Sequence, residues 1–335
     1  MLRFPRIVLS LLPLLSASLI TESACAQILK ASRPRIDAIP DVIYGTDDSG
    51  KPKVAASLVQ KIWDPTDARA TCKVFHHLFA PDGTLLTKGL GGKFEHHRGL
   101  FIGWNKTKFE GNSYDFWHLN KGESQRFRNH GKPADLAMGQ KAQVSLIDWC
   151  SPTGQIVVRE LRGLEVTEHH DDFYVLHVRS KCKTFMKDVV LSGDPQHAGQ
   201  QFRALQKFAE DNAKPVIYVR PEGAKDQGND IWTNCDWTAG ILELGEASYT
   251  VLQVDGLGNP ANSKWSTRPY GRFGVTRTAT IKKDQPVTLD QFFVVANGKR
   301  DAAWCAQQAA KLRPAKKDAA KKIPAKADAP KKSDG

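Results

Sequence analysis

The 335-residue chain has a formal net charge of +12, with 48 Lys and Arg against 36 Asp and Glu. Half of that excess lies in residues 311–335, where eight Lys and one Arg face three Asp. The rest is only mildly basic, so the charge gives no ground for a nucleic-acid-binding domain.

The N-terminus reads as a secretory signal. Arg3 and Arg6 form the basic region, residues 7–20 the apolar region, and Ala24-Cys25-Ala26 the small-residue cleavage site, giving a signal peptide over 1–26. A lipoprotein site at Cys25 is the rival, but Glu22 stands where such sites want leucine. No later run reaches the ~18 apolar residues of a membrane span. The expectation is an exported protein, periplasmic or secreted, without a transmembrane segment.

Residues 27–310 are expected to form one all-β domain. Runs at 54–63, 72–79, 143–149, 155–166, 173–181, 214–220, 240–244, 248–255, 278–282 and 287–296 have strand length and patterning, with turn signals such as Pro81-Asp82-Gly83 and Ser151-Pro152-Thr153-Gly154 between them. In 173–181, Tyr174, Leu176 and Val178 fall opposite Phe173, Val175, His177 and Arg179. Only 301–312 reads as a helix, with Ala302, Cys305, Ala309 and Leu312 spaced for one face. Many strands with one short C-terminal helix predict a large β-sandwich. The Lys/Ala/Pro-rich tail, 311–335, reads as disordered and suited to anionic envelope polymers or simply to solubility. Cys72, Cys150, Cys182, Cys235 and Cys305 contain no C-x-x-C spacing, which argues against a zinc ribbon, and they allow up to two bridges in an oxidising compartment.

Three clusters carry the chemistry. The first runs from Thr87 to Asn105 and on to His118. Its glycines lack the sequence and strand-to-helix context of a phosphate loop, and instead let the backbone carry His96, His97 and Arg98 inward. On an extended segment His96 and His97 would point to opposite sides. Asp115 and His118, three apart, can meet across a turn, and Trp104 and Trp117 offer flat faces for a sugar. The second cluster, 191–203, places Asp194, His197 and Arg203 within ten positions, an acid, a base and a cation. The third includes Arg268, Tyr270 and Arg272, whose alternation would put two guanidiniums and a phenol on one side.

The motifs Thr87-Lys88-Gly89, His96-His97-Arg98-Gly99-Leu100-Phe101, Asp115-Phe116-Trp117-His118, Gly193-Asp194-Pro195-Gln196-His197-Ala198-Gly199, Phe202-Arg203, Asn259-Pro260 and Arg268-Pro269-Tyr270-Gly271-Arg272-Phe273-Gly274 together resemble the exported bacterial proteins of the PmoA family. The family name borrows from a membrane-embedded methane oxygenase, which this chain, with no span after its signal, does not match. The resemblance implies a β-sandwich of the large galactose-mutarotase type (a supersandwich), and fold alone does not fix function.

The leading expectation is an exported sugar-processing enzyme that cleaves a glycosidic bond or epimerises a sugar. His97 or His197 would be the base, Asp115 or Asp194 the acid or orienting partner, and His118 would belong to the same set. Arg98, Arg203, Arg268, Tyr270 and Arg272 would grip the carbohydrate, while Trp104 and Trp117 stack on it. One alternative is a non-catalytic glycan-binding protein. Another is a metalloprotein with His96, His118 and His197 as ligands, the one reading that brings in a divalent metal as cofactor.

Overall fold

The computed structural model describes residues 41–260 and 262–314. The expected signal peptide and residues 315–335 of the tail lie outside the described residues. In chain order the strands are β1 (Val42–Thr46), β2 (Pro52–Val59), β3 (Phe75–Leu78), β4 (Leu100–Trp104), β5 (Lys106–Phe109), β6 (Asn112–Tyr114), β7 (Ser124–His130), β8 (Gln143–Cys150), β9 (Ile156–His169), β10 (Phe173–Lys183) and β11 (Val189–Ser192). They continue with β12 (Ala198–Arg203), β13 (Ile217–Val219), β14 (Lys225–Asp226), β15 (Ile231–Thr233), β16 (Trp237–Leu244), β17 (Ala247–Asp255), β18 (Lys264–Arg268), β19 (Arg272–Thr276), β20 (Ala279–Ile281) and β21 (Val287–Asn297). Two α-helices are described, the single turn α1 (Ala68–Thr71) and the C-terminal α2 (Ala302–Leu312).

The strands form a large antiparallel β-sandwich. One sheet has nine strands in the order β1-β2-β3-β4-β12-β19-β18-β15-β14, the other eight in the order β13-β16-β17-β21-β10-β9-β8-β7, and a four-stranded sheet β20-β11-β5-β6 adjoins them. Alternation decides what lies between the layers. From the nine-stranded sheet Leu100, Phe202 and Phe273 enter the core and meet Tyr174, Leu176, Val178, Val251 and Phe293 of the eight-stranded one. The other side of β10 behaves as its pattern implies, since Val175 packs with Val294, Leu252, Cys305 and Ala309 under α2. Asp301 caps that helix by accepting a hydrogen bond from the Trp304 N–H at 2.8 Å.

Between the sheets, the buried charges of Glu160 and Asp255 are paired. Arg162 donates to Glu160 from Nε and Nη2, both at 2.8 Å, while Ser180 and the Trp149 indole complete the carboxylate's bonds. Arg277 likewise meets Asp255 at 2.5 Å. All five cysteines among the described residues are buried and free, so the two bridges the sequence allowed are not formed.

Candidate functional site

The face of the nine-stranded sheet that looks away from the core is where the three clusters come together. Register fixes its composition: Gln201 pairs with Phe101 and with Gly274, Arg203 with Arg272, and Arg268 with Arg272. Arg268 and Arg272 thus share a side because they oppose each other across the tight β18–β19 hairpin. They do not alternate along one strand as expected. Gly271, at φ +75°, makes that hairpin possible.

Residues 103–105, at the end of β4, hold the next layer in place. The Phe116 N–H donates to the Trp104 carbonyl at 3.0 Å, and a Cβ on Gly103 would overlap the Phe116 carbonyl. The turn 115–118 therefore rests directly on β4. Asn105 donates its backbone N–H to the His197 carbonyl at 2.9 Å and its side-chain amide to Asp194 at 2.9 Å. One strand end thus positions both the first and the second cluster.

Each of those clusters contains an Asp–His dyad of the same design. Asp115 accepts from the Trp117 and His118 backbone N–H groups and meets His118 Nδ1 at 2.8 Å. Asp194 accepts from the Gln196 N–H and meets His197 Nδ1 at 2.8 and 3.0 Å. Burial works to raise both carboxyls. The imidazole contacts and donated hydrogen bonds outweigh it and hold both below the usual carboxylate range. With Nδ1 occupied, Nε2 of each ring is left available for a ligand. The two rings lie 5.1 Å apart between centroids, and His96 adjoins His118 at 4.5 Å.

The loop bearing His96 and His97 is a turn, closed by His97 N–H donating to the Phe94 carbonyl at 2.9 Å with Phe94 at φ +57°. The two rings consequently sit edge to face at 4.1 Å, where an extended segment would have sent them apart. Lys73 anchors this turn to the other one, donating from Nζ to the His96 carbonyl at 2.7 Å and the Trp117 carbonyl at 2.6 Å. Burial brings this lysine down to about 7, and a neutral amine retains two N–H donors for the two carbonyls. His96 is driven to about 2 by burial and by Lys73, His118 and His197, in that order. His97 falls well below its usual value through burial and the charges of His96, Arg272, Lys73 and Arg203.

Several expected roles change. Trp104, 1% exposed, is a core residue whose indole donates to the Arg277 carbonyl at 3.0 Å. Trp117 is wholly buried against Phe101, His97, His197 and Arg272. Neither indole can stack on a sugar. The exposed aromatic surface at this site is Phe94 instead, 43% exposed and stacked at 4.5 Å on the partly exposed Tyr270. His97, 3% exposed, forms the floor beneath them and is not placed to act as a base. Arg98 is buried and ties the loop through the Glu95 and Arg69 carbonyls, so it has a structural task.

Arg203 and Arg272 are buried at 0% and 1% exposure under Tyr270 and Trp117. Arg268 is more open and lies 3.4 Å from Asp230. Lys73 and Phe94 escaped the sequence reading. Lys73 sits in an ordinary-looking strand run, and a lone aromatic among glycines gives no periodic signal. The His96, His118 and His197 rings are neighbours, yet no group of three or more His, Cys, Asp or Glu side chains among the described residues is placed to hold a metal ion. A groove of about 750 Å³ lined by Arg159, Lys181, Lys183 and Phe185, among others, shares no residue with this site.

Fold and site together define a large antiparallel β-sandwich with a histidine-rich site on the outer face of one sheet. The chain belongs to the Family of unknown function (DUF6807), whose profile matches residues 53–310. No curated protein matches it significantly. Among solved structures it is similar to the GH36 α-galactosidase AgaA of Geobacillus stearothermophilus, at 11% identity and TM-score 0.35, over 76% of this chain and 36% of that one. It is also similar to the heparan sulfate lyase HepC of Pedobacter heparinus, at 9% identity and TM-score 0.29, over 84% of this chain and 42% of that one. The chain thus spans well under half the length of either, and likenesses at these scores say nothing of its activity. No helix among the described residues is long and apolar enough to cross a membrane.

Proposed function

We propose that the protein is a carbohydrate-active enzyme that cleaves a glycosidic bond or epimerises a sugar by histidine acid–base catalysis. The observation that carries this reading is the meeting of two Asp–His dyads, with the imidazoles of His118 and His197 5.1 Å apart. Each carboxylate fixes one ring nitrogen and steadies the imidazolium, so one ring can take a proton while its neighbour gives one. In an epimerisation the two act in turn on one carbon. In an elimination the first removes a ring proton, the electron pair forms a C=C bond as the C–O bond breaks, and the second protonates the departing oxygen. Asp115 and Asp194 are both engaged by their histidines, which disfavours hydrolysis by a free carboxylate pair.

A sugar as substrate is supported by polar groups that exchange protons together with the exposed Phe94 and the partly exposed Tyr270 ring. The motifs that resemble the PmoA family supply nearly all of these residues, and an exported location, for which the N-terminal sequence is the support, belongs to the same proposal. The test is incubation with neutral and acidic oligosaccharides, followed by assays for reducing ends, unsaturated products and epimers. Product formation that disappears in His118→Ala and His197→Ala supports the reading. Saturable binding with no product from any ligand bound would replace it with a glycan-binding role.

A further inference from the structure

The treatment of buried guanidiniums differs sharply between the core and this site. In the core, Arg162 and Arg277 each have a carboxylate partner. At the site, Arg203 and Arg272 have none. Arg203 donates from Nη1 to the carbonyls of Ala204 at 2.7 Å and Tyr270 at 2.6 Å, and its Nε and Nη2 have no partner. Arg272 donates to Gln201 at 3.1 Å, Ser266 at 2.5 Å and Gln196, all neutral, and its Nε has no partner. Beside them both ring nitrogens of His97 are buried and unpartnered. Unpaired buried cations are costly, and side-chain amides and carbonyls supply dipoles without the missing charge.

An aromatic stack lies over Arg203. Tyr270 lies over its guanidinium at 4.9 Å, and Phe94 lies on Tyr270. Phe94 itself is largely exposed and holds a left-handed backbone that favours glycine.

We propose that the ligand is an acidic sugar whose carboxylate is the absent counter-ion of Arg203 and of Arg272 beside it in register, admitted when the Phe94–Tyr270 stack moves off Arg203. A planar carboxylate matches the paired donors of a guanidinium. This deepens the reading above and rests on it for the sugar. Trp117 touches both Arg272 and the His197 ring and so ties this carboxylate site to the second dyad; neutralising the acid group's charge makes its neighbouring C–H easier to deprotonate.

The experiment is calorimetric titration of the full chain with D-glucuronate and D-galacturonate, with D-glucose and D-galactose, and with glucose 6-sulfate. Uronates are expected to bind at least about tenfold more tightly than the neutral sugars and the sulfate, and Arg203→Lys to lose about that factor because an ammonium cannot form the paired bonds. Equal affinity for neutral sugars, or preference for the sulfate, overturns the proposal. The comparison within the unaltered chain decides this even if Arg203→Lys does not fold. Selective uronate binding without turnover would sink the catalytic reading and keep the carboxylate site. Turnover of a neutral sugar without uronate preference would do the reverse.

Discussion

Asn105 reaches Asp194 with its side-chain amide at 2.9 Å, and this contact joins the end of β4 to the second dyad. Its backbone N–H holds the His197 carbonyl as well. Because the turn carrying Asp115 and His118 also rests on this strand end, the spacing of the two imidazoles is set here.

Asn105→Ala should therefore act as a loss of positioning. The expected result is a fall in kcat of about tenfold or more with KM little changed, in a protein that is still folded. Equal losses in the thermal midpoint and in kcat would mean that the residue is only structural.

Gly103→Ala should be the more damaging change. The new Cβ overlaps the Phe116 carbonyl, and backbone cannot yield as a side chain can. Denaturant unfolding should show a loss of about 1–3 kcal/mol, together with displacement of the turn that holds His118.

Lys73 should give the fold a pH dependence of its own. It titrates at about 7 when folded, against an ordinary value of 10.5. Between those values the unfolded chain holds a proton that the folded chain has released, so stability rises with pH across this window. Below about 7 the full cost of burying the ammonium remains. Urea denaturation at pH 7 and pH 9 should show the rise in the unaltered chain and its loss in Lys73→Met.

Acid should also destabilise the protein. His76, at about 3, His96, at about 2, and His97 are all held neutral in the folded state. The unfolded chain takes up protons on them below about pH 6.5, so stability falls as pH drops through that value. A stability profile that stays flat from pH 7 to pH 5 would contradict their burial as neutral rings.

The sandwich was legible because its eight-stranded sheet keeps ordinary alternation. Tyr174, Leu176 and Val178 fall on the opposite side from Val175, as read; the structure turns the first set into the core and Val175 toward the helix. The central strands of the other sheet were not. β4, β12 and β19 fall outside the runs read as strands, because their outer face is buried beneath the histidine turns and carries Gln201, Arg203 and Arg272 where solvent-facing polar residues would give a pattern. At the site, the i,i+3 pairing of Asp115 with His118 could be read from spacing alone. The contact of that dyad with His197 could not, because it depends on strand register. The roles of Trp104 and Trp117 were misread for a related reason: composition marks an aromatic, but only packing tells whether its face is open.

The most direct test of the acid–base account is a product assay on an acidic oligosaccharide that stabilises the full chain, run beside binding measurements on His118→Ala and His197→Ala. A ligand at a hundredfold excess over its dissociation constant adds about 2.7 kcal/mol to native stability, enough to be read as a thermal shift. The account predicts that both variants still bind and that each loses about a hundredfold or more in kcat. Unchanged turnover in both variants would contradict it, as would a chain that no sugar stabilises and a divalent metal does.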